Sequence, residues 1–301
     1  MELGQTELKR YKNILCETMK VFIAFCKKNN LQYFACGGTC LGAIRHKGII
    51  PWDDDIDVLM PRKDYVKFLS LQGQLKKTMY EILSPGIEGY YLPFAKFVNK
   101  NTTIVEMSDF PFIIGTFIDV FPLDDIGDTE VSRSLMINQK NAFGKYCRAI
   151  KKYNFSELVN LLANVRLKSF VNCCAYYLFG KIIAPRELKK FYMIEGKIKK
   201  QRGDKCMYYC GFYDLEKEVC EKSWFGKGVE VSFEDFSIVV PQNYDAYLKN
   251  MFGDYMTPPP IEKQVTHHNL YFIDLDKRWD IKDIMKLNLG KQKLKEYTYE
   301  P

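Results

Sequence analysis

Gly37-Gly38-Thr39-Cys40-Leu41-Gly42-Ala43-Ile44-Arg45-His46-Lys47-Gly48-Ile49-Ile50-Pro51-Trp52-Asp53-Asp54-Asp55-Ile56-Asp57-Val58 places a glycine pair ahead of four aspartates within five positions. Carboxylates so close repel one another, and a divalent cation is the economical compensator. On a strand, Asp55 and Asp57 project to one face while Ile56 and Val58 project to the buried one. Two hard oxygen donors on one side suit Mg2+ or Mn2+, whose remaining positions phosphate oxygens and water can fill, so a phosphate ester is the expected substrate class. Upstream, Gly37-Gly38 after a strand lets the backbone approach an anion, with amides and the Thr39 hydroxyl as donors. Alone, a glycine pair is usually a turn and an aspartate run a solvated loop. Together, a strand, Gly-Gly-Thr and a second strand with alternating aspartates describe a cation-assisted phosphoryl site.

A third carboxylate should come from a neighbouring strand. In Gly115-Thr116-Phe117-Ile118-Asp119-Val120-Phe121-Pro122, Asp119 interrupts an apolar run, where an uncompensated charge is costly. It would complete the metal shell or accept a proton from an attacking hydroxyl; the plainer alternative is a buried aspartate paired with a nearby cation. Asp124 and Asp125 follow Pro122 in an expected turn and are weaker candidates.

Further out, Leu8, Tyr11, Leu15, Met19, Phe22 and Phe25 predict a helix over 6–28. Strands are expected at Leu31 to Cys36, Asp55 to Met60, Tyr80 to Leu83, Pro93 to Val98, Thr103 to Met107 and Gly115 to Phe121, with a helix from Pro61 to about Leu75. Helices at Glu130 to Lys151, Ser156 to Phe179 and Pro185 to Gln201 read as a helical insertion. Residues 1–127 then form the core, 128–205 the insertion, and 206–301 a segment packing back on the core through strands at Val229 to Phe233 and Phe236 to Val240 and a helix at Tyr244 to Met251.

A chain of 301 residues with 47% hydrophobic side chains can bury a continuous core, which excludes disorder as its main state. The net charge of +7 favours phosphate-bearing ligands, anionic lipid or nucleic acid without choosing among them. Met1-Glu2-Leu3-Gly4-Gln5 shows no basic start followed by an apolar run, so the expected compartment is the cytoplasm. The ten cysteines are scattered and read as reduced, mostly buried thiols; a zinc site is disfavoured because Cys36/Cys40 and Cys206/Cys210 are spaced by three residues and only three histidines exist. Phe170 to Ala184 is the most apolar window, yet it contains Lys181 and is shorter than the roughly 20 residues that span a bilayer. Arg166, Lys168, Lys181, Arg186, Lys189 and Lys190 around it could hold an aromatic helix against anionic headgroups at the inner face of the membrane; a core helix with a solvated basic edge is the alternative.

Gly37-Gly38-Thr39, Leu41 to His46, Ile49 to Asp57 and Met60-Pro61-Arg62 together resemble the LicD family of phosphocholine transferases, to which fukutin and fukutin-related protein are also related. Phe117 to Asp124 resembles that family's second acidic block, and Val240 to Leu248 with Phe252 to Met256 its carboxyl-terminal block. The resemblance implies an α/β (α+β) fold with a nucleotidyltransferase-like mixed sheet flanked by helices. It implies transfer of phosphocholine from CDP-choline to a cell-surface glycan such as teichoic acid or lipopolysaccharide, or to a lipid-linked precursor, with no nucleic-acid partner. Carried over by motif, Asp55, Asp57 and Asp119 would hold Mg2+ or Mn2+, Gly38-Thr39 with Gly37 would form a phosphate-facing turn, and Arg45 and Lys96 would touch phosphate, with a plain surface charge equally open for each of these two. His267 and His268 match a terminal histidine, with His268 the substrate-binding candidate and a structural role equally open. Trp52, Trp224, Trp279 and the many tyrosines could supply an aromatic cage for a quaternary ammonium, although Trp52 itself reads first as support for the core. Other CDP-alcohols, such as CDP-ribitol or CDP-glycerol, remain alternatives. So do a nucleotidyltransferase that releases pyrophosphate and a catalytically silent membrane-docked protein.

Overall fold

The computed structural model describes residues 4–153, 167–211, 215–266, 270–287 and 289. Helix α1 (Gln5–Lys28) buries Tyr11, Leu15, Met19, Phe22 and Phe25 on one face, as the three-to-four spacing requires. It ends at Asn29 and Asn30, the latter at φ 48, a left-handed conformation that asparagine tolerates. There follow β1 (Phe34–Ala35), α2 (Gly37–Arg45), β2 (Asp57–Pro61), α3 (Arg62–Ser70), β3 (Tyr80–Leu83), β4 (Ala95–Val105) and β5 (Ile114–Ile126). Two long helices, α4 (Thr129–Ile150) and α5 (Leu167–Ile198), come next. The chain continues through β6 (Lys205–Met207), α6 (Leu215–Glu218), β7 (Cys220–Glu221), the hairpin β8 (Val229–Phe233) and β9 (Phe236–Val240), α7 (Tyr244–Phe252), β10 (Phe272–Asp274) and α8 (Ile281–Lys286).

The result is a mixed α/β fold built on the strand order β1-β2-β5-β4-β10, with β3 also on β4, and β6 and β7 extending the far end of β5. Strands β2 and β5 run parallel; the other pairs are antiparallel. One face of the sheet is apolar. Phe22 of α1 meets Phe97 of β4 at 5.6 Å and Phe68 of α3 at 6.0 Å, edge to face. Each such fully buried ring contributes about 1.5–3 kcal/mol by leaving water. Lys96 neighbours Phe97 and therefore projects to the opposite face, where Asp57 and Asp119 also point.

Several elements differ from expectation for local reasons. The strands expected at Pro93 to Val98 and Thr103 to Met107 merge into one long strand, β4, which is confined to Ala95–Val105 and whose register shifts between Asn99 and Ile104. Thr102 absorbs the bulge: its hydroxyl donates to the Asn99 carbonyl at 3.0 Å and accepts from the Thr116 amide at 2.7 Å. Strand β5 runs on through Pro122, so Asp124 and Asp125 lie in a strand and not in a turn. Proline is tolerated there because β4 has already ended on that side, its last register being Ala95 with Val120. Gly37-Gly38-Thr39 opens α2 rather than forming a free turn. The expected break before Pro185 is absent: α5 continues through it, losing one backbone donor while packing against α4 holds the helix. The expected helix from Ser156 begins outside the described residues. Phe143, Tyr146, Phe191, Ile194 and Ile198 of α4 and α5 share a core with Ile126, Met207 and Tyr209. Among the described residues no helix is long and apolar enough to cross a membrane.

Candidate active site

Three strands bring the charged side chains into one row. Asp57 of β2 lies in register with Asp119 of β5, which lies in register with Lys96 of β4. Asp55 precedes Asp57 by two residues and therefore shares its face. The pairing continues past the strand end, since the Asp119 amide donates to the Ile56 carbonyl at 2.9 Å. One carboxylate oxygen each from Asp55, Asp57 and Asp119 falls within 4.8 Å of the others. Three hard donors so spaced can close around an octahedral dication with little adjustment, and the residues present fit Mg2+ or Mn2+.

Lys96 is 1% exposed, and its ammonium lies 2.7 Å from Asp119 and 3.5 Å from Glu106. It also sits 3.3 Å above the Phe117 ring. Burial works against its charge, but the Asp119 and Glu106 carboxylates outweigh burial and raise its pKa. Lys96 thus underlies the acidic row as a buried counter-charge and is not a free phosphate contact. Glu106 is further tied by the Tyr91 hydroxyl. Sequence reasoning passed over Glu106, although a lone carboxylate in the apolar run Thr103 to Met107 is the same signal that singled out Asp119.

The opening of α2 adjoins this row. Gly37 adopts φ +51, a conformation that favours glycine, and a Cβ on Gly38 would lie 2.5 Å from Asp53 Oδ2, so a side chain there would displace the Asp53 carboxylate. The Gly37 amide donates to the Tyr247 hydroxyl at 3.0 Å, which anchors α7 to the site. The Thr39 hydroxyl, 4% exposed as a residue, accepts from the Asp57 amide at 2.8 Å. Thr39 therefore ties the opening of α2 to the strand that carries Asp57. By helical geometry the Gly38 and Thr39 amides have no partner within the helix, and the positive end of α2 points at the aspartates.

Arg45 is directed elsewhere: it donates to the Tyr255 carbonyl at 2.7 Å and the Thr257 carbonyl at 3.5 Å, pinning the segment after α7. The three tryptophans do not converge. Trp52 meets His46 edge-on at 5.7 Å, Trp224 packs on the main core, and Trp279 packs on Phe272 in a separate cluster and donates to Asp274. Asp124 is buried against Arg62, which also binds Glu195 of α5 at 2.8 Å. Asp125 pairs with Lys222 at 2.8 Å, so neither joins the acidic row. His267 and His268 lie outside the described residues.

Residues 30–159 match the family model described as LicD/FKTN/FKRP, nucleotidyltransferase domain, a span that contains every residue of the acidic row. Over 267 residues the chain is 28% identical to the lipopolysaccharide cholinephosphotransferase LicD of Haemophilus influenzae, covering 86% of this chain and 95% of that protein. Uncharacterized proteins of Rickettsia typhi and Rickettsia prowazekii are each 37% identical over 86 residues, 27% of this chain and 28% and 32% of theirs.

Proposed function

The chain carries a LicD-family nucleotidyltransferase domain, and from that premise we propose that it is a metal-dependent transferase that moves phosphocholine from CDP-choline to a hydroxyl of a cell-surface glycan or its lipid-linked precursor. The observation that carries this reading is the convergence of Asp55, Asp57 and Asp119 beside the opening of α2. The choline head group and the glycan acceptor are suggested by the Haemophilus influenzae relative, which acts on lipopolysaccharide.

Asp55, Asp57 and Asp119 would hold Mg2+ or Mn2+, which when bound neutralises charge on the donor diphosphate. The chain's own residues orient the reaction. Backbone amides at the start of α2 face the anionic donor, and the Thr39 hydroxyl keeps Asp57 in place. Asp119, backed by the Lys96 ammonium, receives the proton of the acceptor hydroxyl. The acceptor oxygen then bonds to the phosphorus that carries choline, the bond from that phosphorus to the bridging oxygen breaks in line, and CMP leaves with the electron pair. No covalent enzyme intermediate is needed.

The test is a panel of CDP-alcohols with CMP release as readout, with and without a chelator. CDP-choline turnover that stops on chelation and falls about a hundred- to a thousandfold in Asp57→Asn, with an unchanged melting curve, is the expected result. Normal turnover by that variant, or pyrophosphate release from a nucleoside triphosphate in place of CMP release, would overturn the reading. Preference for CDP-ribitol or CDP-glycerol would keep the reaction and replace the head group.

A further inference from the structure

Helix α5 is apolar on two sides. Among its described residues Gly180, Phe191, Ile194 and Ile198 are buried and lie on the side that faces α4. Advancing about 100° per residue, Val171, Leu178 and Ile182 fall within about 40° of one another on the opposite side. They are 57%, 68% and 69% exposed, and Phe179 borders them at 54%. An apolar stripe turned away from the core needs a partner outside the fold.

The charges around it say which partner. Lys189 continues the line of the stripe, Arg186 and Lys190 lie on one flank, Lys181 lies on the other, and all four are exposed. Between Ser169 and Lys190 the helix has one carboxylate, Glu187, which is half-buried on the inner side. A second copy of the chain meeting this face would bring the two sets of cations together with no carboxylate on the stripe to receive them. A bilayer surface with anionic headgroups takes both features at once, accepting the apolar side chains at the acyl boundary and the cations at the phosphates. We propose that the outer face of α5 docks the protein on an anionic membrane surface, lying on it without crossing it. The inference does not rest on the transfer reading, because docking needs neither donor nor metal.

The experiment is co-sedimentation of the full chain with vesicles of phosphatidylcholine alone or with added phosphatidylglycerol, at low and high salt. Binding confined to the phosphatidylglycerol vesicles and weakened by salt is expected. Leu178→Ser and Ile182→Ser should each lower partitioning roughly tenfold. The triple variant Arg186→Gln, Lys189→Gln, Lys190→Gln should lower it about a hundredfold at low salt. These side chains are exposed, so the variants should keep the parent melting curve, which circular dichroism checks. Absence of vesicle binding by the parent chain, or variants that bind as tightly as the parent, would overturn the proposal. So would a dimer seen by light scattering that Leu178→Ser with Ile182→Ser dissolves, since the stripe would then be covered by a second copy.

Discussion

Lys96 shows how one side chain couples stability to chemistry. Its ammonium is enclosed by Asp119, Glu106 and the Phe117 ring. Replacing it by methionine keeps the volume but strands two carboxylates away from water, so Lys96→Met should cost about 3–5 kcal/mol in urea unfolding; a loss below about 1 kcal/mol would mean that water reaches the pair. His46 offers a pH probe at the end of α2. Burial and the adjacent Arg45 guanidinium lower its pKa below 6.5. The folded chain therefore takes up that proton less readily than the unfolded chain. The associated stability is full above pH 6.5 and is lost as pH falls through the lowered pKa. Proton NMR should place the His46 titration below 6.5, and His46→Gln should flatten the acid limb of the stability curve. A titration above that value would contradict the sign. Of the residues named for the site, Asp55, Asp57 and Asp119 were legible because repulsion and apolar context make carboxylates conspicuous in a sequence. Lys96 and Arg45 were also conspicuous as charges, but which carbonyl or carboxylate each one meets depends on strand register and on a segment 210 residues away.

Among the elements, α3, β5 and α5 are joined by a single guanidinium. Arg62, the first residue of α3, donates to Asp124 of β5 at 2.7 Å and to Glu195 of α5 at 2.8 Å. Burial pushes the Asp124 carboxyl up against the pull of Arg62. Arg62→Leu should cost about 3–5 kcal/mol, and hydrogen exchange should accelerate in α5 and the end of β5 before it does in α1. Uniform acceleration across the molecule would instead show that the α4–α5 pair opens only with the whole fold. A helix after Pro61 was readable because proline suits a helix start, although Pro61 itself closes β2, α3 ends at Ser70 and Leu71–Leu75 form a 3-10 helix. The unbroken course of α5 through Pro185 was not, since the sequence marks the missing donor but not the neighbouring helix that compensates it.

For the whole molecule, the ten cysteines are free thiols. Burial pushes Cys16 and Cys220 up to about 12, which leaves almost no thiolate at neutral pH. Unfolding curves should be the same with and without a reductant, and Cys16, Cys26, Cys36 and Cys40 should react with a thiol reagent only after denaturation. Rapid modification of these four in the native protein would contradict the packing of α1 and α2 on the sheet. The mixed-sheet class was accessible through the family resemblance of the Gly37 to Asp57 stretch, whereas the order β1-β2-β5-β4-β10 was not, because pairing partners are chosen by three-dimensional packing. That order has a kinetic consequence. Asp57 and Asp119 sit side by side on parallel neighbours, and two parallel strands cannot be joined by a hairpin. The loop between them must close before either carboxylate meets the other, which raises contact order and delays assembly of the acidic row until late in folding. A nascent chain that has emerged only as far as the aspartate run will hold dications no better than an unfolded peptide does.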